Sequence, residues 1–368
     1  MMEGIRVLFA DVEDPRSGNA QRHDLLEMLT VALCAVLSGA KTSSDIARFG
    51  EIKLELLRRF LVLEHGVASH DTFSRLFRLL DAGAFAACFG RFVEAFTRAN
   101  AELVAVDGKS LRRSFERAQA GSALNLICAW AAEQRLVLAQ RAVPAGGEEI
   151  TAMPELLAML DLAGRVVSAD AMHCQKDTAR QILEQGGDYV LALKGNQPNL
   201  HADVRLLLDD PQAPPDAVFE SVDGDHGRIE TRRADVLYDI DWLAEAHAWP
   251  GLAAVGRITA SREIDGKTTT ATRCYLLSKR FSAERFAALA RGHWGIENQL
   301  HWVLDTVMDE DQARSRKDNA AENLAALRRL ALNLVRANPD KRPIRAKFQR
   351  AAWDDNFLLE LLNPPQMR

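Results

Sequence analysis

The chain carries two kinds of hydrophobic pattern, and the change falls near residue 100. Before it, apolar residues recur every three or four positions, the period of an amphipathic helix. Leu25, Leu26, Leu29, Leu33, Val36 and Leu37 form the clearest stripe, with Gly39 placed to end it. Ser43 or Ser44 can cap a short helix through Ile46 and Phe49, and a third helix is expected over residues 52–63. Gly66 breaks the chain. Ser69 then caps a stripe of Phe73, Leu76, Phe77 and Leu80, and a fifth helix is expected over 84–96, with Phe85, Phe89, Phe92 and Phe96. Residues 1–100 therefore read as a helical domain.

From 101 to 368 the pattern becomes mixed. Apolar runs of strand length cover 103–106, 124–130 and 136–142, with the polar Glu133-Gln134-Arg135 as a hairpin turn. A helix at 154–160, a strand at 166–169, a helix at 178–185 and a strand at 189–193 follow. The first three strands suit antiparallel pairing, and the later ones alternate with helices as in a parallel arrangement. Between about 211 and 280 come four more strand-like runs, 218–222, 229–237, 253–262 and 268–277, with Asp223-Gly224 and Asp265-Gly266 as turn signals. This reads as a β-rich insertion. Ser282 caps a further helical region through Phe286, Leu289, Trp294, Leu300 and Val303, with Gly292 and Gly295 as bending points, and a last helix covers 320–337. The fold class is α/β.

Composition narrows the function classes. With 368 residues, 48% hydrophobic and 26% charged, there is core enough for two or three domains, and disorder is excluded. The net charge of −5 excludes a uniformly basic nucleic-acid binder and leaves a locally basic one open. The five cysteines are scattered without a CxxC pair, so a zinc knuckle or a disulfide framework is not expected, and a reducing compartment fits. The most apolar run, 25–40, carries Glu27 and is too short to span a bilayer. The start lacks a signal-peptide pattern. A soluble, cytoplasmic protein with no membrane partner is the expectation.

The informative chemistry is where the acids fall. Asp107 follows the apolar run 103–106, and Asp170 follows 166–169. An acid at a strand end lies at the sheet rim, where ligand sites gather. A lone strand-end Asp is more often a turn or cap residue, and the pair brings the two readings level. Glu297 is the third acid. On a helix, His293, Glu297, His301 and Asp305 would share one stripe, flanked by Trp294 and Trp302. Three oxygen donors without a Cys or His cluster suit hard cations, Mg²⁺ or Mn²⁺. Two such ions about 4 Å apart suit an in-line phosphoryl displacement. A helical zinc site from His293, Glu297 and His301 is the weaker alternative. HExxH, GxxxxGK[ST] and GxSxG are all absent.

The motifs Asp14-Pro15-Arg16, Ser69-His70-Asp71-Thr72-Phe73, Ala105-Val106-Asp107-Gly108-Lys109, Asp170-Ala171-Met172-His173, Lys194-Gly195-Asn196-Gln197, His226-Gly227-Arg228, residues 294–302 and Leu330-Ala331-Leu332-Asn333-Leu334 together resemble one family. It is that of the DDE transposases of bacterial insertion sequences, in the branch of the H-repeat-associated proteins. The resemblance implies a ribonuclease H-like catalytic domain behind a small helical domain, with Asp107, Asp170 and Glu297 as the catalytic, metal-binding acids. It implies Mg²⁺-dependent cleavage of DNA and transfer of the freed 3′-hydroxyl to target DNA, by a homodimer or larger assembly. One departure stands out. Related transposases often carry a Lys seven residues after the Glu, where this chain has Leu304, and only Arg291 and His293 precede the Glu. His301 is the candidate accessory residue.

Contact with DNA needs local positive charge. Between Asp311 and Arg350 there are 11 Lys and Arg against 4 Asp and Glu, including Arg314, Arg316, Lys317, Arg328 and Arg329. His226, Arg228, Arg232 and Arg233 form a second basic group in the insertion, and Lys194, Asn196 and Gln197 follow a strand close to the expected metal site. All of these are expected to face phosphates, against the blander reading of a solvated basic surface. A nuclease that cuts without joining, a non-catalytic DNA-binding relative, and a helical adaptor whose first domain pairs subunits remain open alternatives.

Overall fold

The computed structural model describes residues 2–9, 12–87, 90, 102–115, 123–144, 147–225, 228–264 and 266–363. It is a mixed α/β protein built on one nine-stranded sheet, with strands β1 (Leu103–Leu111), β2 (Leu124–Ala131), β3 (Leu136–Ala142), β4 (Val166–Ala169), β5 (Asp188–Leu193), β6 (Ala217–Asp225), β7 (Arg228–Leu237), β8 (Ala254–Ile264) and β9 (Lys267–Leu277). Their order across the sheet is β3-β2-β1-β4-β5-β9-β8-β7-β6. β1, β2 and β3 are antiparallel neighbours, while β4 lies parallel to both β1 and β5. The insertion strands do not form a separate sheet. β9 pairs antiparallel with the free edge of β5, and β8, β7 and β6 add outward from it.

Helices cover both faces of the inner strands, which are apolar on both sides for that reason. The Glu149–Ala158 helix packs on β2 and β3, and the Lys176–Glu184 helix on β5. The Ala283–His293 helix packs against β1, β4, β6 and β7. The Ala320–Ala337 helix lies against β2 and β3 and also holds the helices Leu25–Leu37 and His70–Leu79. Asn323 fixes that junction by donating from Nδ2 to the Phe77 and Leu80 carbonyls. One hydrophobic core runs from Ile5 through the sheet to Leu362.

Several expectations are corrected. The third helix, expected over 52–63, is cut to Leu54–Leu57: Ile52 closes the preceding helix, and the chain turns over residues 58–60 and again at Leu63, which has a positive φ. The cap of the preceding helix is Thr42, which exchanges hydrogen bonds with Asp45 as a capping box. The fifth helix, expected over 84–96, falls largely outside the described residues. The helix expected from Pro154 starts at Glu149, with Pro154 inside it. Asp223-Gly224 is not a turn, since both residues pair within β6. The helices Met2–Phe9, Pro198–Asp209, Asp241–His247, Ile344–Trp353 and Asp355–Leu361 carry patterns too short or too polar to stand out.

Gly256 shows how tightly the Ala283–His293 helix seats on the extension. A β-carbon there would lie 2.6 Å from two ring carbons of Phe286, whose fully buried ring meets Tyr275 edge-on and has no room to swing. Gly256→Ala is therefore expected to destabilise the protein by about 1–3 kcal/mol through overpacking. Urea unfolding would check this, and an unchanged midpoint would refute it.

Candidate active site

Sheet register brings two of the three acids together. Val106 of β1 lies opposite Ala169 of β4, so Asp107 and Asp170 are the next pair along two parallel strands. Their side chains leave the sheet on the same face. Asp107 is not at a strand end as expected. β1 continues to Leu111, because β2 stays paired alongside it, with Asp107 opposite Cys128. Asp170 does follow β4 directly and heads the 3-10 turn Ala171–His173.

Glu297 reaches the same face from above, on an exposed stretch. The segment expected to be an ordinary α-helix is a π-helix over Ile296–His301, between the helices Ala283–His293 and Trp302–Thr306. The Trp302 N–H donates to the Glu297 carbonyl across five residues. Such wide turns recur at functional sites because they re-aim side chains. The polar stripe survives the change. His293 meets Ser168 Oγ at 3.0 Å, His301 Nδ1 lies 3.6 Å from Asp107, and Asp305 takes the Lys109 ammonium at 2.6 Å. Lys109 is buried and also lies 3.6 Å from Asp311, so it ties the strand of Asp107 to the helix that follows Glu297.

The electrostatics are those of crowded acids. Burial, with Glu297, Glu149 and Asp170 nearby, pushes Asp107 up to about 7, against the Gly108 N–H that favours its charge. For Asp170, burial is outweighed by the Ala171 N–H and the Lys194 ammonium, which hold it below the usual carboxylate range. Burial drives His293 down to about 4 and His301 to about 3, so both rings are neutral at pH 7. The His301 contact with Asp107 is therefore no ion pair. His301 Nε2 is buried and has no hydrogen-bond partner among the described residues.

Glu149 is the acid that sequence reasoning missed. It opens the Glu149–Ala158 helix, and its carboxylate fills the space that a side chain at 108 would need, with Oε2 2.0 Å from the β-carbon position. The Gly146-Gly147 pair just ahead was the available signal for a helix start there, and Pro154 drew the start too far along.

The basic candidates divide. Lys194 sits 3.3 Å from Asp170. Asn196 donates to the Ala171 carbonyl, and Gln197 to the Cys174 carbonyl and the Gln175 side chain, so both brace the loop of Asp170. Arg314, Arg316 and Lys317 are exposed, with Arg316 donating to the Arg113 carbonyl. Arg328 and Arg329, also expected at a DNA surface, are buried against Glu310 instead. Arg232 pairs with Asp223 and Glu230, and Arg233 with Glu220 and Asp235. His226 and the side chain of Arg228 lie outside the described residues.

Carboxylate oxygens, with no thiolate among them, are the donors of hard divalent cations, and the crowding that lifts Asp107 is a negative charge such ions relieve. The residue types fit Mg²⁺ or Mn²⁺. Among the described residues, no three His, Cys, Asp or Glu side chains close into a finished ligand set. No described helix is long and apolar enough to cross a membrane.

Comparison with known proteins gives concordant matches. The family described as "Transposase DDE domain" matches residues 98–334, and the family "DDE_Tnp_1-associated" matches residues 7–93. The chain is similar to the "H repeat-associated putative transposase YhhI" of Escherichia coli K12, 34% identical over 98% of this chain and 97% of that one. It is also similar to an "Uncharacterized protein in dhlA 3'region" of Xanthobacter autotrophicus, 45% identical over 76% of this chain and 95% of the other. Among solved structures, a piggyBac transposase synaptic complex with hairpin DNA gives a TM-score of 0.42 at 11% identity, covering 99% of this chain and 82% of that one. That likeness is too slight to bear on fold or function.

Proposed function

The chain belongs to the Transposase DDE domain family, and from that premise we propose that it cuts DNA at the ends of an insertion element and joins the freed strands to target DNA. The observation that carries the proposal is the placement of Asp107 and Asp170 side by side on parallel strands, with Glu297 over the same face and coupled to Asp107. The order β3-β2-β1-β4-β5, antiparallel then parallel, supports a ribonuclease H-like catalytic domain over 101–368 behind a helical domain over 1–100.

In this reading Asp107, Asp170 and Glu297 hold two Mg²⁺ or Mn²⁺ ions. When bound, such ions activate the attacking oxygen and stabilise the leaving one. The protein's own share is positioning and charge. Lys109 and Asp305 lock the Glu297 segment to the strand of Asp107. Asn196 and Gln197 set the loop of Asp170. Lys194 offers its ammonium to a phosphate beside Asp170, a role left open by Leu304. Arg314, Arg316 and Lys317 supply exposed cations for DNA. Neutral His301 holds a hydrogen-bonding nitrogen next to Asp107. Joining two element ends to one target requires at least two subunits, and the work falls in the cytoplasm.

The test is a Mg²⁺-dependent cleavage assay on DNA carrying the element's own flanking ends, with Asp170→Asn as control, followed by joining of a pre-cut end. Cleavage and joining by the native chain, both lost in the control, are the expected result. Cleavage without joining would make it a nuclease, and cleavage that survives Asp170→Asn would overturn the site.

A further inference from the structure

The Ala283–His293 helix packs on the inner part of the face that β6 to β9 share with the acid cluster, while the outer part of β9 lies exposed beyond it, and register decides which side chains share that face. Leu193 of β5 lies opposite Cys274 of β9, so Lys194, beside Asp170, falls level with Arg273. Alternation along β9 then puts Arg273, Ala271, Thr269 and Lys267 on one face and Thr272, Thr270 and Thr268 on the other. The first is the face of the acids. On it the Arg273 guanidinium stacks 4.3 Å from the centre of the Trp294 ring, and Arg291 of the Ala283–His293 helix reaches Asp223 at 2.5 Å.

Charge on the two faces is unequal. Among the described side chains, Arg232, Arg262, Lys267, Arg273 and Arg291 stand over the acids' face against Asp223 and Glu230. On the far face Arg233 and Arg257 are matched by Glu220, Asp235 and Asp209. The outer part of β9, from Lys267 to Arg273, is exposed, and its Lys267 and Arg273 belong to this excess. Lys267 to Arg273 spans about 20 Å of strand, the length of roughly six base-pair steps. A planar guanidinium held on an indole ring is already oriented to grip a phosphate with two N–H groups.

We propose that this face is the track on which the DNA duplex flanking the cut phosphodiester lies, with Arg273 its first phosphate contact beyond Asp170. The proposal rests on the transposase reading and adds the path of the substrate. Ala271 and Thr272 are consecutive, exposed and on opposite faces, so one added charge reports the face. Fluorescence anisotropy with a labelled element-end duplex, across a salt series, compares the native chain with Ala271→Glu, Thr272→Glu and Arg273→Gln. Thr272→Glu should bind as the native chain does. Ala271→Glu and Arg273→Gln should each weaken binding about tenfold, and Arg273→Gln should flatten the salt slope by about 1. Arg273→Lys should restore most of the affinity, and melting curves check the fold of each variant. Equal effects from Ala271→Glu and Thr272→Glu, or native affinity and slope in Arg273→Gln, would overturn the track. If the native chain cuts the same duplex while Arg273→Gln binds normally, only the track falls. A native chain that neither binds nor cuts it ends the transposase reading as well.

Discussion

Asp107→Asn is expected to reduce Mg²⁺-dependent strand cleavage by at least about 10²–10³-fold, the scale of losing one preorganised electrostatic group, while affinity for duplex DNA changes little. The amide keeps the shape of the side chain and loses the charge that a hard cation needs. The Asp107 carboxyl feels the charges of Glu297, Glu149 and Asp170 together, and burial with this crowding raises it. The same crowding supplies a control for folding. In metal-free protein the substitution removes a charge that burial and three acids oppose, so the variant should melt no lower than the native chain. Full cleavage by Asp107→Asn would sink the assignment, and a collapsed melting curve would sink the electrostatic account of it.

Glu310→Ala is expected to cost about 3–5 kcal/mol of stability, because it strands buried cations without their carboxylate. Arg329 is fully buried and meets Glu310 through two contacts, at 2.8 and 3.2 Å, while Arg328 lies 3.7 Å away. Pairing with the buried Glu310 carboxylate, against the cost of burial, holds the Arg329 guanidinium above its ordinary range. The cluster lies under the site, since Arg329 also acts on His301 and on Cys128, the cross-strand partner of Asp107. Urea unfolding gives the measurement. A loss below about 1 kcal/mol would show that Glu310 does not carry the pair. The double variant Glu310→Met, Arg329→Met should recover part of the loss, since apolar groups can replace a buried ion pair.

Much of the scaffold was legible because it is local. The helix over Ala320–Ala337 and strand β3 over Leu136–Ala142 match their hydrophobic patterns end to end. The hairpin at Glu133-Gln134-Arg135 and the caps at Ser69 and Ser282 follow from side-chain chemistry within a few residues. The errors are nonlocal. β1 runs past Asp107 because β2 keeps pairing with it, which no window around Asp107 reveals. The π turn looks like an α-helix in its hydrophobic pattern, with Ile296 and Leu300 buried four residues apart, so the pattern does not show its extra residue. The basic count between Asp311 and Arg350 suggested a DNA surface, yet Arg328, Arg329 and Lys347 are buried, and Arg336 stacks on Trp130.

Sequence alone determined the alternation of helix and strand and the three acids worth watching, because both are written in residue type and short-range period. Tertiary structure alone decided that Glu149 joins the acids, that Arg232 and Arg233 turn to opposite faces, and that Arg329 answers Glu310 in the core. Those outcomes depend on which strands become neighbours. A side chain's burial, partner and charge state belong to that three-dimensional neighbourhood, which the order of residues specifies only through the whole fold.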